Sequence, residues 1–560
     1  MKTVANNISL SDRRTNVIMK FFLSIAIFIF NVTLLNENLK IGKYGGVYSY
    51  GILGVLDIFV FSALAIFGLQ HKNTIRHSYV AILYLGLLIF VPQMFVKLPI
   101  FPFVYRVYGH VDYIIQTGHA APEIPTLSYQ TWPGIMFLGA ISEMITRLGV
   151  YILLMTPVLY YLTVLPLIYS LMKDLTNSRT NSILGVMFFM ASFYGFNWFV
   201  PGGLASLILM ASVYFLFRAH LGYNAQYLKV VSLLLLSTGV LVFTHFMTSI
   251  LWAVTIVDSI VFSTFIIKDE KTKRMSMTLL LLFLIFQVYW TLGHTYSANL
   301  FKQRLNSLVE FMIATGAVEK WTEVAQMGIT HHSKVLQIKM YFSYSIVGIS
   351  LIAVLIVLRD FLEKFLKTRK SDRPVLLLAL ILASYILVIP ALFGNYSGEI
   401  PSRILAGSRY ILAIFVALAL KNLKFKKILI TTLPILLLLS ILCTYGNMSY
   451  DYVAPNEIAG ISYTSVYIPS KFYTIPDALW DFKYLANPYS ILPIDSLKNP
   501  KGLENSVVTI VLSSRRIDGY VFFTGKDINI IDLKVKSSRI YFSSNHYPKV
   551  SSTFEIYGGP

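Results

Sequence analysis

Charged residues are scarce in this chain of 560 residues. Only 13% are Asp, Glu, Lys or Arg, whereas 56% are hydrophobic and the mean hydropathy is +0.65. A soluble domain has about 25% charged residues. The low charge content therefore excludes an ordinary soluble domain and indicates a multi-pass protein of the cell (plasma) membrane.

Cysteine is almost absent, since Cys443 is the single one and falls in an apolar run. Neither a disulfide within the chain nor a cysteine metal site can form. A cleavable signal peptide is not evident either. The first apolar run, 17–35, is long enough to span a membrane and lacks a small-residue cleavage site, so we interpret it as a retained anchor.

Acidic residues are fewer than basic ones, 27 against 47, which gives a net charge of +20. The basic residues lie mostly in short loops between apolar runs, as the positive-inside rule requires. They do not form a basic face with interleaved aromatic residues, so nucleic acid is not an expected partner. Their pattern is a topology signal, strongest in the loop 359–373.

Apolar runs of about 20 residues predict a mostly α polytopic membrane protein with about thirteen transmembrane helices. With the N-terminus inside and the C-terminus outside, every basic cluster falls on the cytoplasmic side. The run 230–267 is too long for one crossing, and Thr244-His245-Phe246 is its natural outer turn. The predicted spans are 17–36, 49–69, 77–97, 149–171, 181–198, 203–219, two within 230–267, 276–296, 341–358, 374–394, 405–420 and 428–446.

The composition changes near residue 448 and predicts two domains. Residues 1–447 form a transmembrane domain with a long outer loop, 98–148. Residues 448–560 form a small extracytoplasmic domain, partly β, because the short β-prone runs 506–512, 519–525 and 539–544 alternate with polar turns.

The outer loop begins with a stretch, 99–134, that is rich in ionisable and aromatic side chains. Such groups are costly at a membrane unless they face water, a partner or a substrate. An amphipathic helix is predicted next, over 133–148, with an apolar face of Ile135, Leu138, Ile141, Ile145 and Leu148. Glu143 and Arg147 are spaced for an i,i+4 ion pair on its polar face. This helix is expected to lie in the membrane interface.

Outer-face residues from separate loops form one candidate site. Arginine suits phosphate because its planar fork donates two parallel hydrogen bonds. A nearby carboxylate can serve as a general base or hold a divalent ion. The members of the set are Arg106, His110, Asp112, Glu123, His245, Glu399, Arg403 and Arg409.

Several short motifs resemble the GT-C superfamily of polytopic glycosyltransferases, which use polyprenyl-phosphate-linked sugars. They are GHVDYIIQTGH (109–119), YQTWPG (129–134), THFMT (244–248) and EIPSRILAGSRY (399–410), with the amphipathic helix and the C-terminal SSRIYFSSN (537–545). The pattern looks like archaeal members and like protein O-mannosyltransferases or oligosaccharyltransferases. One difference is that Tyr108-Gly109 precedes His110, where family members commonly have an acid.

The resemblance implies roles for these residues. A first-loop acid, here Asp112, would be the catalytic base or a ligand of Mg or Mn. Arg403 and Arg409 would contact the donor phosphate, and His245 would line the cavity. The expected partners are membrane lipids, a polyprenyl-linked sugar as donor, and a protein, glycan or lipid acceptor.

Other interpretations of the same residues stay open. Asp112 could pair with Arg106, His245 could be a hydrogen-bonded turn residue, and Arg403 and Arg409 could reach to the interface. The alternative functions are a lipid-linked saccharide flippase or transporter, and a polysaccharide polymerase or ligase. A flippase should carry charged residues inside many spans, together with internal repeats.

Overall fold

The structure is a computed structural model. It describes residues 2–35, 52–69, 74–90, 102–121, 123, 130–154, 159–192, 200–220, 227–295, 298–299, 302–303, 306, 334–368, 372–393, 400–445, 455–467, 472–474, 491–493, 509–513, 538–545 and 552–558. Glu399 and the predicted strand 519–525 lie outside the described residues.

The described part of the chain is mostly α-helical. Its helices are α1 (Lys2–Leu35), α2 (Ile52–Phe67), α3 (Ile75–Phe90), α4 (Pro102–Thr117), α5 (Gly134–Thr146), α6 (Leu165–Thr176), α7 (Arg179–Ser192), α8 (Pro201–His220), α9 (Tyr227–Thr244), α10 (Phe246–Val261), α11 (Glu270–Gly293), α12 (Lys334–Thr368), α13 (Arg373–Phe393), α14 (Ile400–Ala419), α15 (Leu423–Tyr445) and α16 (Pro455–Tyr467).

Seven helical segments among the described residues are long and apolar enough to cross a membrane, which makes this a multi-pass membrane protein. They are Thr15–Val32, Pro201–His220, Tyr227–Thr244, Phe246–Ile267, Glu270–Gly293, Tyr341–Lys367 and Leu423–Thr444. Shorter apolar helices lie at Ile52–Phe67, Ile75–Ile89, Gly134–Thr146, Arg373–Val388 and Gly407–Ala419. The count of thirteen crossings and their orientation stay predictions.

The predicted span 149–171 is not one continuous helix. A 3-10 turn covers Gly149–Leu154, a π-helical turn covers Tyr160–Val164, and only then does α6 begin, with a proline in its first turn. Pro166 has no backbone N–H to donate to the preceding turn, so the regular α-helical ladder cannot continue through it. The π turn therefore falls where the ladder is already interrupted.

Helices α7 and α14 lie at the centre of the bundle. Helix α7 packs against α6, α14 and α15, and α14 packs also against α12 and α13. Residues 183–191 and 409–420 are buried throughout. The surrounding helices expose large apolar side chains, as at Leu292 and Leu355. A protein that is apolar both inside and on its helical surface is typical of a membrane bundle.

The C-terminal part contains one mixed sheet. Its strands are β1 (Phe472–Thr474), β2 (Ile491–Pro493), β3 (Thr509–Ser513), β4 (Ser538–Asn545) and β5 (Ser552–Gly558), in the order β2-β1-β3-β5-β4. Strand β1 pairs in parallel with β2 and β3, whereas β5 is antiparallel to β3 and β4. Helix α16 packs on β4 and β5. The runs 506–512 and 539–544 thus overlap β3 and β4, while the division into two domains stays a prediction.

Candidate functional site

The segment predicted to be the first outer loop is a helix and not an open loop. Residues Pro102–Thr117 form helix α4, with proline at the first position, where its missing N–H costs nothing. An apolar stripe at helical spacing holds α4 against the rest of the protein, which the emphasis on charged residues obscured. Its members are Val104, Val107, Val111 and Ile114, each at most 4% exposed.

The polar residues of α4 divide between two sides of the helix. A helix turns by about 100° per residue, so Arg106 and His110 are one turn apart, while Asp112 lies about 120° around from Arg106. Asp112 is half-buried and accepts a hydrogen bond from Gln116 Nε2 at 3.0 Å. The carboxylate is therefore oriented by a neighbour one turn further along α4.

His110 is a buried, neutral imidazole. Its side chain is 1% exposed, and burial, with a smaller contribution from the Arg106 charge, lowers its pKa to about 3. Protonating it would place a second cation in a dry environment beside the first. His110 is thus suited to hydrogen bonding in the neutral form and not to carrying charge at pH 7.

The shifted pKa of Tyr108 indicates a second nearby carboxylate, Glu143, which the sequence analysis did not include in the site. This pKa is raised to about 12, first by burial and then by the negative charges of Glu143 and Asp112. Helices α4 and α5 pack against each other. Glu143 on α5 and Asp112 on α4 therefore both act on the Tyr108 hydroxyl. The polar face predicted for α5 was the signal that could have identified Glu143.

The predicted ion pair between Glu143 and Arg147 is wrong. Arg147 has φ 54°, in the left-handed region, and its backbone N–H bonds to the Glu143 carbonyl to close the end of α5. No ion pair joins the two side chains in this described segment. Because Arg147 has left the helical path, the i,i+4 geometry that the prediction assumed does not exist.

The predicted amphipathic helix exists, at Gly134–Thr146, and its predicted apolar face is partly buried in the protein and partly exposed. The inward side chains include Ile135 and Met136, both 0% exposed. Three residues of the predicted apolar face, Ile141, Ile145 and Leu148, are instead exposed by half or more. Small residues at 139 and 140 allow α5 to pack closely on its inner side. The exposed apolar side fits contact with lipid, as an interfacial helix requires.

The segment before α5 packs directly on the turn between α9 and α10. The rings of Trp132 and Phe246 have centroids 5.8 Å apart. A Cβ added at Gly134 would meet Thr244 Oγ1 at 2.7 Å and Thr244 Cα at 3.1 Å. Only glycine fits this approach. Two sequence motifs that are 110 residues apart, YQTWPG and THFMT, are thereby brought into contact.

Two further hydrogen bonds hold this junction. The Trp290 Nε1–H on α11 donates to the Thr131 carbonyl at 2.6 Å. The Gln130 side-chain oxygen accepts from the Ala121 backbone N–H at 2.8 Å, which ties the end of the α4 segment to the start of α5. Gln130 and Thr131 are both 0% exposed. Sequence reasoning missed Trp290 and Gln130, whose partners lie too far along the chain for any local pattern to show.

His245 occupies the turn that the sequence predicted and caps helix α10. Its Nδ1 accepts from the Thr248 backbone N–H at 3.4 Å and lies 2.8 Å from Thr248 Oγ1. Since a backbone N–H can only donate, Nδ1 is the acceptor and the neutral ring carries its proton on Nε2. A Cβ added at Gly202, at the start of α8, would lie 3.6 Å from that Nε2. His245 therefore is a hydrogen-bonded turn residue that also presents a donor toward α8.

The remaining site predictions fall at separate places. Glu123 is exposed, beyond the end of α4. Arg403 lies in the first turn of α14, and Arg409 lies six residues, or about 9 Å, further along the same helix. The Arg409 side chain is 1% exposed, inside the bundle. The structure thus packs α4 against α5 and the start of α5 against the His245 turn, whereas Arg409 is buried in the core.

A Mg or Mn ion takes oxygen ligands such as carboxylates, which would have to come from the residues of the candidate site. Within the described ranges, no group of three or more His, Cys, Asp and Glu side chains is placed to hold an ion. Asp112 is bonded to Gln116, and His110 is sealed from solvent. The described residues therefore do not fit a Mg or Mn site.

The apolar helices define a multi-pass membrane protein. No protein-family model matches the chain, and no curated protein matches it. Among solved structures, the crystal structure of ArnT from Cupriavidus metallidurans bound to undecaprenyl phosphate is similar, with a TM-score of 0.49 and 11% identity over 86% of this chain and 98% of that chain. The apo crystal structure of the same ArnT gives a TM-score of 0.41, with the same identity and coverage.

Proposed function

We propose that the chain is a membrane glycosyltransferase of the GT-C type, which moves a sugar from a polyprenyl-phosphate donor to an acceptor on the extracytoplasmic side. The observation that carries the proposal is the junction of α4, α5 and the His245 turn. Helix α4, which carries the half-buried Asp112 carboxylate, packs on α5, and the start of α5 contacts the His245 turn through the rings of Trp132 and Phe246. Helix α5 also has an exposed apolar side. A lipid-linked sugar needs both such surfaces.

Asp112 is the proposed catalytic base. As the acceptor oxygen bonds to the anomeric carbon, its proton passes to the Asp112 carboxylate, and the bond from that carbon to the phosphate oxygen breaks. The bonding electrons leave with the polyprenyl phosphate. The hydrogen bond from Gln116 at 3.0 Å orients the carboxylate for this transfer. Positioned general bases contribute about 10²–10⁴-fold to rate.

The departing phosphate needs positive charge. Arg106 lies on α4 one turn from His110, and Arg403 lies in the first turn of α14. We assign the phosphate contact to these two guanidinium groups, because the burial of Arg409 in the bundle keeps it from a surface that a lipid can reach. Such fixed donors stabilise charge that develops in the transition state.

Binding of the sugar is assigned to the remaining polar groups. His245 offers its Nε2–H toward α8, and His110 supports Arg106 as a neutral neighbour. Glu123 and Glu399 stay proposed substrate contacts. The acceptor class is a protein, a glycan or a lipid. The proposal also places residues 448–560 as an extracytoplasmic domain beside this site.

The test is sugar transfer from a radiolabelled polyprenyl-phosphate donor in proteoliposomes that contain the full chain. We expect the Asp112→Asn variant to lose at least about 100-fold in turnover, since it cannot accept the proton, while donor binding is retained. The matched control is Asp360→Asn, an exposed carboxylate that pairs with Arg359 at 2.7 Å. Equal turnover in both variants would remove Asp112 from the chemistry.

A flippase or transporter is the second candidate, and one observation favours it. Ionisable side chains are buried within apolar helices: Asp57 in α2 at 1% exposure, Asp258 in α10 at 5% and Arg409 in α14 at 1%. Asp258 accepts a hydrogen bond from Ser384 on α13 at 2.9 Å. Intramembrane charges of this kind often mark transport paths. Movement of the donor between leaflets without any sugar transfer would support a flippase or transporter. Growth of glycan chains would instead support a polymerase or ligase.

A further inference from the structure

A groove on the opposite side of the protein is not used by the proposed reaction. It has a volume of about 530 Å³ and lies between the first turns of α9 and the first turns of α11. These two helices pack side by side and both begin at the face predicted to be cytoplasmic. The groove therefore opens where the sequence places the basic loop 268–274, far from the His245 turn at the other end of α9.

The groove is polar at its mouth and apolar below. Tyr227 of α9 and Glu270, Lys271 and Arg274 of α11 surround the mouth. Val231, Leu235, Met275 and Thr278 line the part that runs along the helices. Along a helix these residues rise by one and two turns above the mouth, roughly 6–12 Å. A ligand that fills this shape has a polar end and an apolar end.

The charge at the mouth is positive. The Lys271 ammonium lies 3.8 Å from the centre of the Tyr227 ring, and Arg274 contacts Glu270 through Nε at 3.5 Å. Glu270 also binds Lys273 at 3.4 Å, so one carboxylate is shared by two cations. Asp269 is occupied as the cap of α11, where it accepts from the Lys271 backbone and the Thr272 hydroxyl. With Lys268, four basic residues face two acidic ones.

The groove lies on the surface that contacts lipid. Leu236 on α9 and Leu281 on α11, which follow the lining residues, are 66% and 59% exposed. Leu228, beside the mouth, is 79% exposed. A soluble anion would bind at the mouth and leave the apolar part of the groove exposed. An acyl chain would bury that apolar surface, which is favourable through the hydrophobic effect.

We propose that this groove binds an anionic phospholipid of the cytoplasmic leaflet. The phosphate lies between Lys271 and Arg274, and one acyl chain follows Val231 and Leu235. Juxtamembrane basic residues attract the anionic lipids of that leaflet, and the groove adds a shape that selects the lipid over other anions. The site is separate from the glycosyl-transfer site and does not depend on the proposed reaction.

The test is native mass spectrometry of the full chain in micelles doped with phosphatidylglycerol or phosphatidylcholine. We expect the wild type to retain phosphatidylglycerol selectively. The double variant Lys271→Gln/Arg274→Gln should retain it about tenfold less, because each basic residue contributes to the attraction. The matched control, Lys424→Gln/Lys427→Gln, removes the same charge from exposed positions at the start of α15 and should behave as the wild type.

A second variant, Val231→Trp, keeps all charges but fills the groove, so it should also lose the lipid. It keeps the inference testable if the double variant does not fold. Three results would overturn the proposal: an equal loss in the control pair, retention in Val231→Trp, or displacement of the lipid by inorganic phosphate at the concentration at which phosphate alone binds.

Discussion

The two ends of the helical bundle hold their charged residues in different ways. At the predicted cytoplasmic end, most ion pairs are exposed and lie within one helix, as in Arg359 with Asp360 and Glu363. At the predicted outer end, His110 is buried, and Asp112 is half-buried and bonded to the amide of Gln116. Exposed pairs contribute little to stability. Burial therefore distinguishes the residues of the proposed site from the exposed charges at the other end, which carry the predicted topology signal.

The two ends also differ in whether their contacts join distant segments of the chain or residues of one helix. The outer end is fixed by close backbone approach and ring contact between distant segments, at Gly134 with Thr244 and at Trp132 with Phe246. The ion pairs at the other end mostly join residues within one helix, such as Arg274 with Glu270. Long-range contacts of the first kind fix the start of α5 relative to the His245 turn. Pairs of the second kind do not.

The largest loss of stability is expected at the predicted outer end, from Gly134→Ala. The added Cβ would lie 3.1 Å from the Thr244 Cα, so backbone must move and α5 must separate from the turn. We expect destabilisation by about 1–3 kcal/mol, as for overpacked cores. Thermal unfolding in detergent measures it. The control is Gly348→Ala, which meets nothing within 4 Å and should be neutral or stabilising. Equal unfolding temperatures for the two variants would contradict the close packing of Gly134 on Thr244.

A pH-dependent effect is expected next, from His110. Its pKa is lowered from 6.5 to about 3 by burial and by Arg106. Between these two pKa values, His110 binds a proton in the unfolded chain but not in the folded chain. The free energy of unfolding therefore falls as the pH drops from about 6.5 toward about 3. Thermal unfolding of His110→Gln should depend less on pH over this window than that of the wild type. Parallel pH profiles for the two proteins would show that His110 is not buried as described.

The smallest effect is expected at the cytoplasmic end. Arg359→Gln removes the contacts to Asp360 at 2.7 Å and to Glu363 at 3.6 Å, all between exposed side chains. Water replaces these contacts, so the unfolding temperature should stay within the error of a detergent melt. A loss as large as that of Gly134→Ala would contradict the contrast between the two ends.

Much of the helical framework could be predicted from the sequence. Long apolar runs gave the seven spans that length and composition support, and Thr244-His245-Phe246 correctly divided the run 230–267. Helix α4 was missed because its four apolar positions were outweighed by conspicuous polar ones. The break before α6 was missed because hydropathy averages over Pro166 and does not register its missing N–H.

The candidate site was only partly predictable. Asp112 and His245 were chosen because ionisable residues stand out in an apolar chain, and their roles stay predictions. The roles of Glu143 and Trp290 depend on helix packing and on a contact across 159 residues. Arg409 was grouped with the outer-face residues on the family resemblance, but α14 is rotated so that this side chain lies inside the bundle, at 1% exposure. Rotation is set by tertiary packing, which one sequence does not contain.

The central claim is that the first outer segment and the His245 turn form one site. Its most direct test is cross-linking of Trp132→Cys with Phe246→Cys in a Cys443→Ala background, using a short bifunctional thiol reagent on the intact membrane protein. Because the two rings are 5.8 Å apart, we predict an efficient link within one chain. Trp132→Cys with Phe265→Cys, whose partner is exposed beyond the far end of α10, should give none. Equal yields for both pairs would contradict the account.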